Sequence, residues 1–141
     1  MGALRKLRRK SHHPEYEVEP LRRTETSGYR KMSEVLLDFA RPLLDEYGDD
    51  DFQSIIAFSA ACWDISFMPE EKQQKELINF MDVMEITDPA DRQQVENQAR
   101  MLLERKKSLF ADDKRMVMNY RIVDEGGYNR LFVLSSPLET Q

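Results

Sequence analysis

Residues 115–134, RMVMNYRIVDEGGYNRLFVL, decide the fold class. Met116, Met118, Tyr120 and Ile122 alternate with Val117, Asn119, Arg121 and Val123. A two-residue period in β-forming side chains predicts a strand. Glu125-Gly126-Gly127-Tyr128 then reverses the chain, because glycine enters positive φ without a Cβ clash. Residues 131–134 form the second strand. An isolated hairpin is marginal in water. This one must therefore pack on helices, gain a third strand or pair across a dimer.

Everything between residues 33 and 110 has the helical period instead. Val35, Leu36, Phe39, Leu43, Leu44 and Tyr47 predict a helix over residues 33–47, with Ser33 as its N-cap. Pro42 should kink that helix or split it near Ala40, since proline cannot donate to the residue four back. A second helix, over residues 51–67, carries Phe52, Ile55, Ile56, Phe58, Cys62, Trp63, Ile65 and Phe67 around much of its circumference. A helix so apolar belongs at the centre of the domain. Pro69 opens a third, whose buried stripe of Leu77, Ile78, Phe80, Met81 and Met84 begins only after two solvated turns. Asp88 caps a fourth, with Pro89 at its first position; Val95, Ala99, Leu102, Leu103 and Phe110 mark its face. Arg105, Lys106 and Lys107 suit the negative end of its dipole. The expected fold is α+β, about four helices followed by a C-terminal antiparallel β-hairpin. The expected core comprises Leu36, Phe39, Leu43, Phe52, Ile55, Ile56, Phe58, Trp63, Ile65, Leu77, Phe80, Met81, Leu102 and Leu103.

Composition agrees with one compact unit. The chain has 141 residues, 40% hydrophobic and 33% charged, which supports a core and excludes a wholly disordered polymer. The longest apolar stretch, residues 55–68, is interrupted by Ser59, Asp64 and Ser66 and falls short of the roughly 20 residues that cross a bilayer. With one cysteine, Cys62, no disulfide forms within the chain. Basic residues near the N-terminus lead into no apolar signal core, and a cytoplasmic location is the simplest expectation.

Charge divides the chain. Residues 1–31 hold nine Lys/Arg and four Glu, a balance of +5; residues 32–141 hold twelve Lys/Arg and twenty-two Asp/Glu, a balance of −10. The expected organisation is a basic flexible arm and linker over residues 1–28, a single domain over residues 29–136 and a short tail over residues 137–141. Within the arm, Tyr16 and Val18 between Pro14 and Pro20 suggest an extended segment more than an edge strand. Arg5, Lys6, Arg8, Arg9 and Lys10 are the candidate anion contacts. They read first as a segment that solvates the chain or rests on its acidic body; the alternatives are a membrane surface or weak nucleic-acid or ribosome contact through phosphates, without base stacking because no aromatic is interleaved. Removal of residues 1–14 should abolish such binding.

No catalytic set, cofactor motif or metal-ligand series is visible. His12-His13 lacks fixed companions, and Asp49-Asp50-Asp51 lacks the spaced ligands and glycine of a calcium loop. Cys62 sits late in an apolar helix, away from any base, and reads as packing. Glu70, Glu71, Glu96 and Glu104 have nothing to fix them as an acid/base pair. Asp64, ionisable beside a crowded core, is the least poor acid/base candidate. The leading expectation is a non-enzymatic interaction or regulatory module, binding an unknown protein partner or a second copy through the hairpin. A small enzyme with a site outside known motifs is the alternative.

Residues Met32-Ser33-Glu34-Val35-Leu36-Leu37, Cys62-Trp63-Asp64, Met68-Pro69-Glu70-Glu71 and Phe110-Ala111-Asp112-Asp113-Lys114-Arg115 resemble, loosely, small uncharacterised bacterial proteins. That resemblance spans roughly residues 32–134 and implies this layout, with no activity attached.

Overall fold

The computed structural model describes residues 15–18 and 30–137. Among them are five helices and three strands. Helices α1 (Met32–Phe39), α2 (Arg41–Tyr47), α3 (Phe52–Ile65), α4 (Glu70–Val83) and α5 (Pro89–Leu109) lie between strand β1 (Glu15–Val18) and strands β2 (Arg115–Glu125) and β3 (Tyr128–Pro137). The class is α+β with the C-terminal antiparallel hairpin, and one helix more than the sequence predicts.

Pro42 makes the extra helix. α1 stops at Phe39, Ala40 turns the chain, and Leu43 and Leu44 both donate to the Ala40 carbonyl as α2 begins. Pro42 occupies the first turn of α2, where no intrahelical N–H is needed. Ser33 is not the cap: Lys31 holds that position, and the Ser33 hydroxyl is buried without a hydrogen-bond partner. Pro69 likewise sits one position outside α4. Asp88 does cap α5, accepting the Ala90 N–H at 2.9 Å.

α3 is the centre. It packs against every other helix and against β2, as its apolar circumference requires. Trp63 is fully buried, with the rings of Phe39, Phe110 and Phe67 edge-on at 5.1, 5.8 and 6.4 Å. Each large apolar side chain so buried stabilises the fold by roughly 1.5–3 kcal/mol. Of the expected core only Phe80 and Leu103 remain partly exposed. On α4 the buried face narrows to Leu77 and Met81, while Ile78 and Met84 reach solvent.

The sheet order is β1-β3-β2, with β1 parallel to β3 and β2 antiparallel to it. The hairpin thus both packs on helices and gains a third strand, Glu15–Val18, where the sequence favours an extended arm. Gly126 and Gly127 have φ of 60° and 102°, the positive pair that a tight hairpin reversal requires. A register shift between Val117 and Asn119 marks a β-bulge at Met118. The bulge changes which alternate residues face inward. Val117 points to the core before it, and Tyr120 and Ile122 pack on the core after it, with Leu131 and Val133 from β3.

Candidate functional site

The ionisable groups with shifted titration meet where α3, α5 and the start of β2 converge. Burial pushes the Asp64 carboxyl up to about 6, opposed by the Val117 N–H, which donates to Asp64 Oδ1 at 2.9 Å. One residue earlier, Trp63 Nε1 donates to the Arg115 carbonyl at 2.6 Å. α3 therefore supplies side-chain partners for two backbone groups of β2. Among the described residues, Asp64 lines none of the three cavities described below. Its neighbour Cys62 is buried, which pushes the thiol up and keeps it protonated.

Beneath this junction, Arg115 and Asp113 form a buried fork, Nε to Oδ1 at 2.9 Å and Nη2 to Oδ2 at 2.7 Å. Lys106 lies alongside. Its Nζ donates to the carbonyls of Phe110 and Asp113 at 3.0 and 3.2 Å, and sits 4.6 Å from the ring centres of both Trp63 and Phe67. Burial lowers the Lys106 pKa; Asp113 raises it, and the neighbouring charge of Lys114 lowers it further. The carbonyls and aromatic faces nonetheless stabilise the ammonium form.

Three cavities border α4 and α5. The largest, about 490 Å³, lies between α1 and the end of α5. Its charges are largely spent internally: Asp38 pairs with Arg30 at 3.0 Å, and Arg105 binds the Asp38 and Phe39 carbonyls. A second, about 330 Å³, follows the α4–α5 groove past Glu70, Glu96 and Glu104. The third, about 210 Å³, is lined by Lys106, Lys107 and Lys114.

The outer face of the hairpin has a different character. Alternation from the inward Asn129, Leu131 and Val133 places Tyr128, Arg130, Phe132 and Leu134 outside on β3. Arg121 and Val123 face outward opposite Phe132 and Arg130. The Arg121 guanidinium lies 4.7 Å from the Phe132 ring centre. Leu134 is 64% exposed opposite Asn119, and bulged Met118 beside it is 59% exposed. On the hairpin's part of this face, Glu125 accepts from Arg130 at 2.9 Å.

The candidates drawn from the sequence are scattered. Arg5, Lys6, Arg8, Arg9, Lys10, His12 and His13 lie outside the described residues. Among the described residues, no three His, Cys, Asp or Glu side chains converge as metal ligands. Glu96 accepts from Gln74, Glu70 lies 3.6 Å from Lys107, and Asp113 is consumed by Arg115. Sequence reading missed Lys106 and Arg115. A signal for Lys106 exists: Val95, Ala99, Leu102 and Lys106 share one helical stripe, which carries the buried face to a cation. Nothing comparable announces the outer face, because the bulge changes the phase of β2.

Compared with protein-family models, with curated proteins and with solved structures, the chain matches no family, no curated relative and no solved fold.

Proposed function

We propose that this chain is a non-enzymatic interaction module that docks a protein partner on the outer face of its hairpin. The observation that carries this reading is the make-up of that face. Met118 and Leu134 stand exposed near Phe132 and Arg121, and Tyr128 is exposed at the turn end of the same face. Methionine, aromatic residues and arginine are the types enriched where proteins bury one another, and lysine, aspartate and glutamate the types depleted. Over residues 116–136 the hairpin itself gives this face no lysine and a single acid, and the register of β1 adds Glu15 and Glu17 only beside Tyr128 and Arg130, away from the Met118–Leu134 end. The partner fitted to it offers an apolar side chain for the Met118–Leu134 patch and a carboxylate for Arg121.

The competing reading, an enzyme built on Asp64, has less support. That carboxylate accepts a strand N–H and, among the described residues, lines none of the three cavities above. The test uses the full chain, immobilised, beside a Met118→Glu/Leu134→Glu variant of equal thermal stability. Wild type should recover a partner from native extract that the variant does not. Equal recovery by both would place the contact elsewhere, and recovery of a second copy alone would replace the partner by self-association.

A further inference from the structure

The smallest of the three cavities is anomalous in charge. Residues 32–141 carry −10, yet this cavity, among the described residues, is lined by Lys106, Lys107 and Lys114 and by no Asp or Glu. Ser66, Phe67 and Gln73 contribute to its wall. The chain converges on it from the end of α3, the first turns of α4, the last turn of α5 and the loop before β2. Lys106 and Lys114 are close enough for the charge of one to disfavour the charge of the other. Asp113, the carboxylate that acts on Lys106, is held by the Arg115 fork at 2.7 and 2.9 Å. Lys107 reaches only a loose, exposed partner, Glu70 at 3.6 Å. An anion among the three ammonium groups would relieve that crowding.

We propose that this cleft binds the phosphate group of a small phosphorylated polyol. Three point-charge ammonium groups without an arginine fork suit a tetrahedral phosphate better than a planar carboxylate, which favours bidentate guanidinium. A volume of about 210 Å³ admits a compact head group only. Gln73, Leu103 and Lys107 also line the adjoining groove of about 330 Å³, so the two spaces share a wall. That groove presents Glu70, Glu96 and Glu104 as acceptors for hydroxyl donors, with Arg100 on the same wall. Phosphate lies among the lysines, and the hydroxylated body lies along α4 and α5. This site is separate from the hairpin face, and either reading stands or falls without the other.

Trp63 provides the readout. It is the sole tryptophan, with the Lys106 ammonium 4.6 Å from its ring centre, so a charge arriving beside Lys106 alters the indole environment. The full chain is titrated, at low and matched ionic strength, with a hexose monophosphate, inorganic phosphate, the unphosphorylated hexose and potassium chloride. Emission should change saturably with both phosphates, with the hexose monophosphate at least about tenfold tighter, roughly 1.4 kcal/mol. The hexose alone and the chloride should leave it flat. The variant Lys107→Gln/Lys114→Gln removes two exposed side chains and spares the structural Lys106. Its melting temperature should be unchanged, and its affinity for the hexose monophosphate at least about tenfold weaker. A chloride response equal to that of phosphate, an unchanged affinity in the variant, or a hexose monophosphate no tighter than inorganic phosphate would overturn the proposal.

Discussion

Arg115 and Asp113 show what single residues contribute here. Their side chains are only 10% and 11% exposed, and the fork pairs the two charges inside the fold. Replacing Asp113 by alanine strands a guanidinium in the interior, at a cost of about 3 kcal/mol of unfolding free energy. The paired change Asp113→Leu/Arg115→Met removes both charges and should recover most of that loss. Denaturant unfolding of the two variants checks this, and an Asp113→Ala midpoint equal to wild type contradicts it. Asp64 behaves oppositely. Its carboxyl titrates higher in the fold than in the unfolded chain, so between about pH 4 and 6 the folded state binds more protons. Stability contributed at this site is therefore present at acid pH and is lost as pH rises through about 6. Asp64→Asn keeps an oxygen for the Val117 N–H and removes the titration. Thermal melts from about pH 4 to 6 should show the variant gaining stability relative to wild type as pH rises, because the wild-type loss at Asp64 is gone, and parallel curves would contradict the assignment. Of these residues the sequence singled out Asp64 and nothing else. Asp113 and Arg115 sit two apart in a loop-to-strand junction, and only tertiary burial turns that pair into a structural fork.

Among the elements, the end of α4 carries an identifiable strain. Glu85 has φ of 60°, Ile86 N–H donates to the Met81 carbonyl at 2.9 Å, and Glu85 N–H to Asp82 at 3.0 Å. These are the two bonds of a left-handed helix stop, a position that normally takes glycine. Glu85→Gly relieves the Cβ clash and should raise stability by about 0.5–1 kcal/mol. A lower melting temperature in that variant would show that glutamate makes a compensating contact. Helix positions were legible because 3.6-residue stripes and proline punctuation are local. The α5 start followed from Asp88-Pro89, and the break in the first helix followed from Pro42. The bulge at Met118 was not legible. Alternation reads the same in two phases, and only pairing with β3 decides that Val117, Tyr120 and Ile122 all turn inward. The buried stripe of α4 was overestimated for a related reason. Ile78 and Met84 have the right spacing but remain 37% exposed, at the margin of the packed face.

At the scale of the whole molecule, α3 holds the rest together, and its apolar circumference made that readable in advance. The parallel addition of β1 to β3 was not, since it joins residues more than a hundred positions apart and has no local signal. The same long-range pairing leaves one face of the hairpin on the helices and the other turned away. Among the described residues, no helix is long and apolar enough to cross a membrane. Met118 and Leu134 are exposed on the hairpin, and the docking proposed above would cover them. The most direct measurement is site-specific photo-cross-linking. A benzophenone side chain is placed at Met118, at Leu134 or at Ile78 of α4, and the full chain is irradiated in its native extract. The account predicts a discrete protein adduct from the two hairpin positions and none from α4. Adducts from Ile78 alone, or none from either hairpin position, would contradict it.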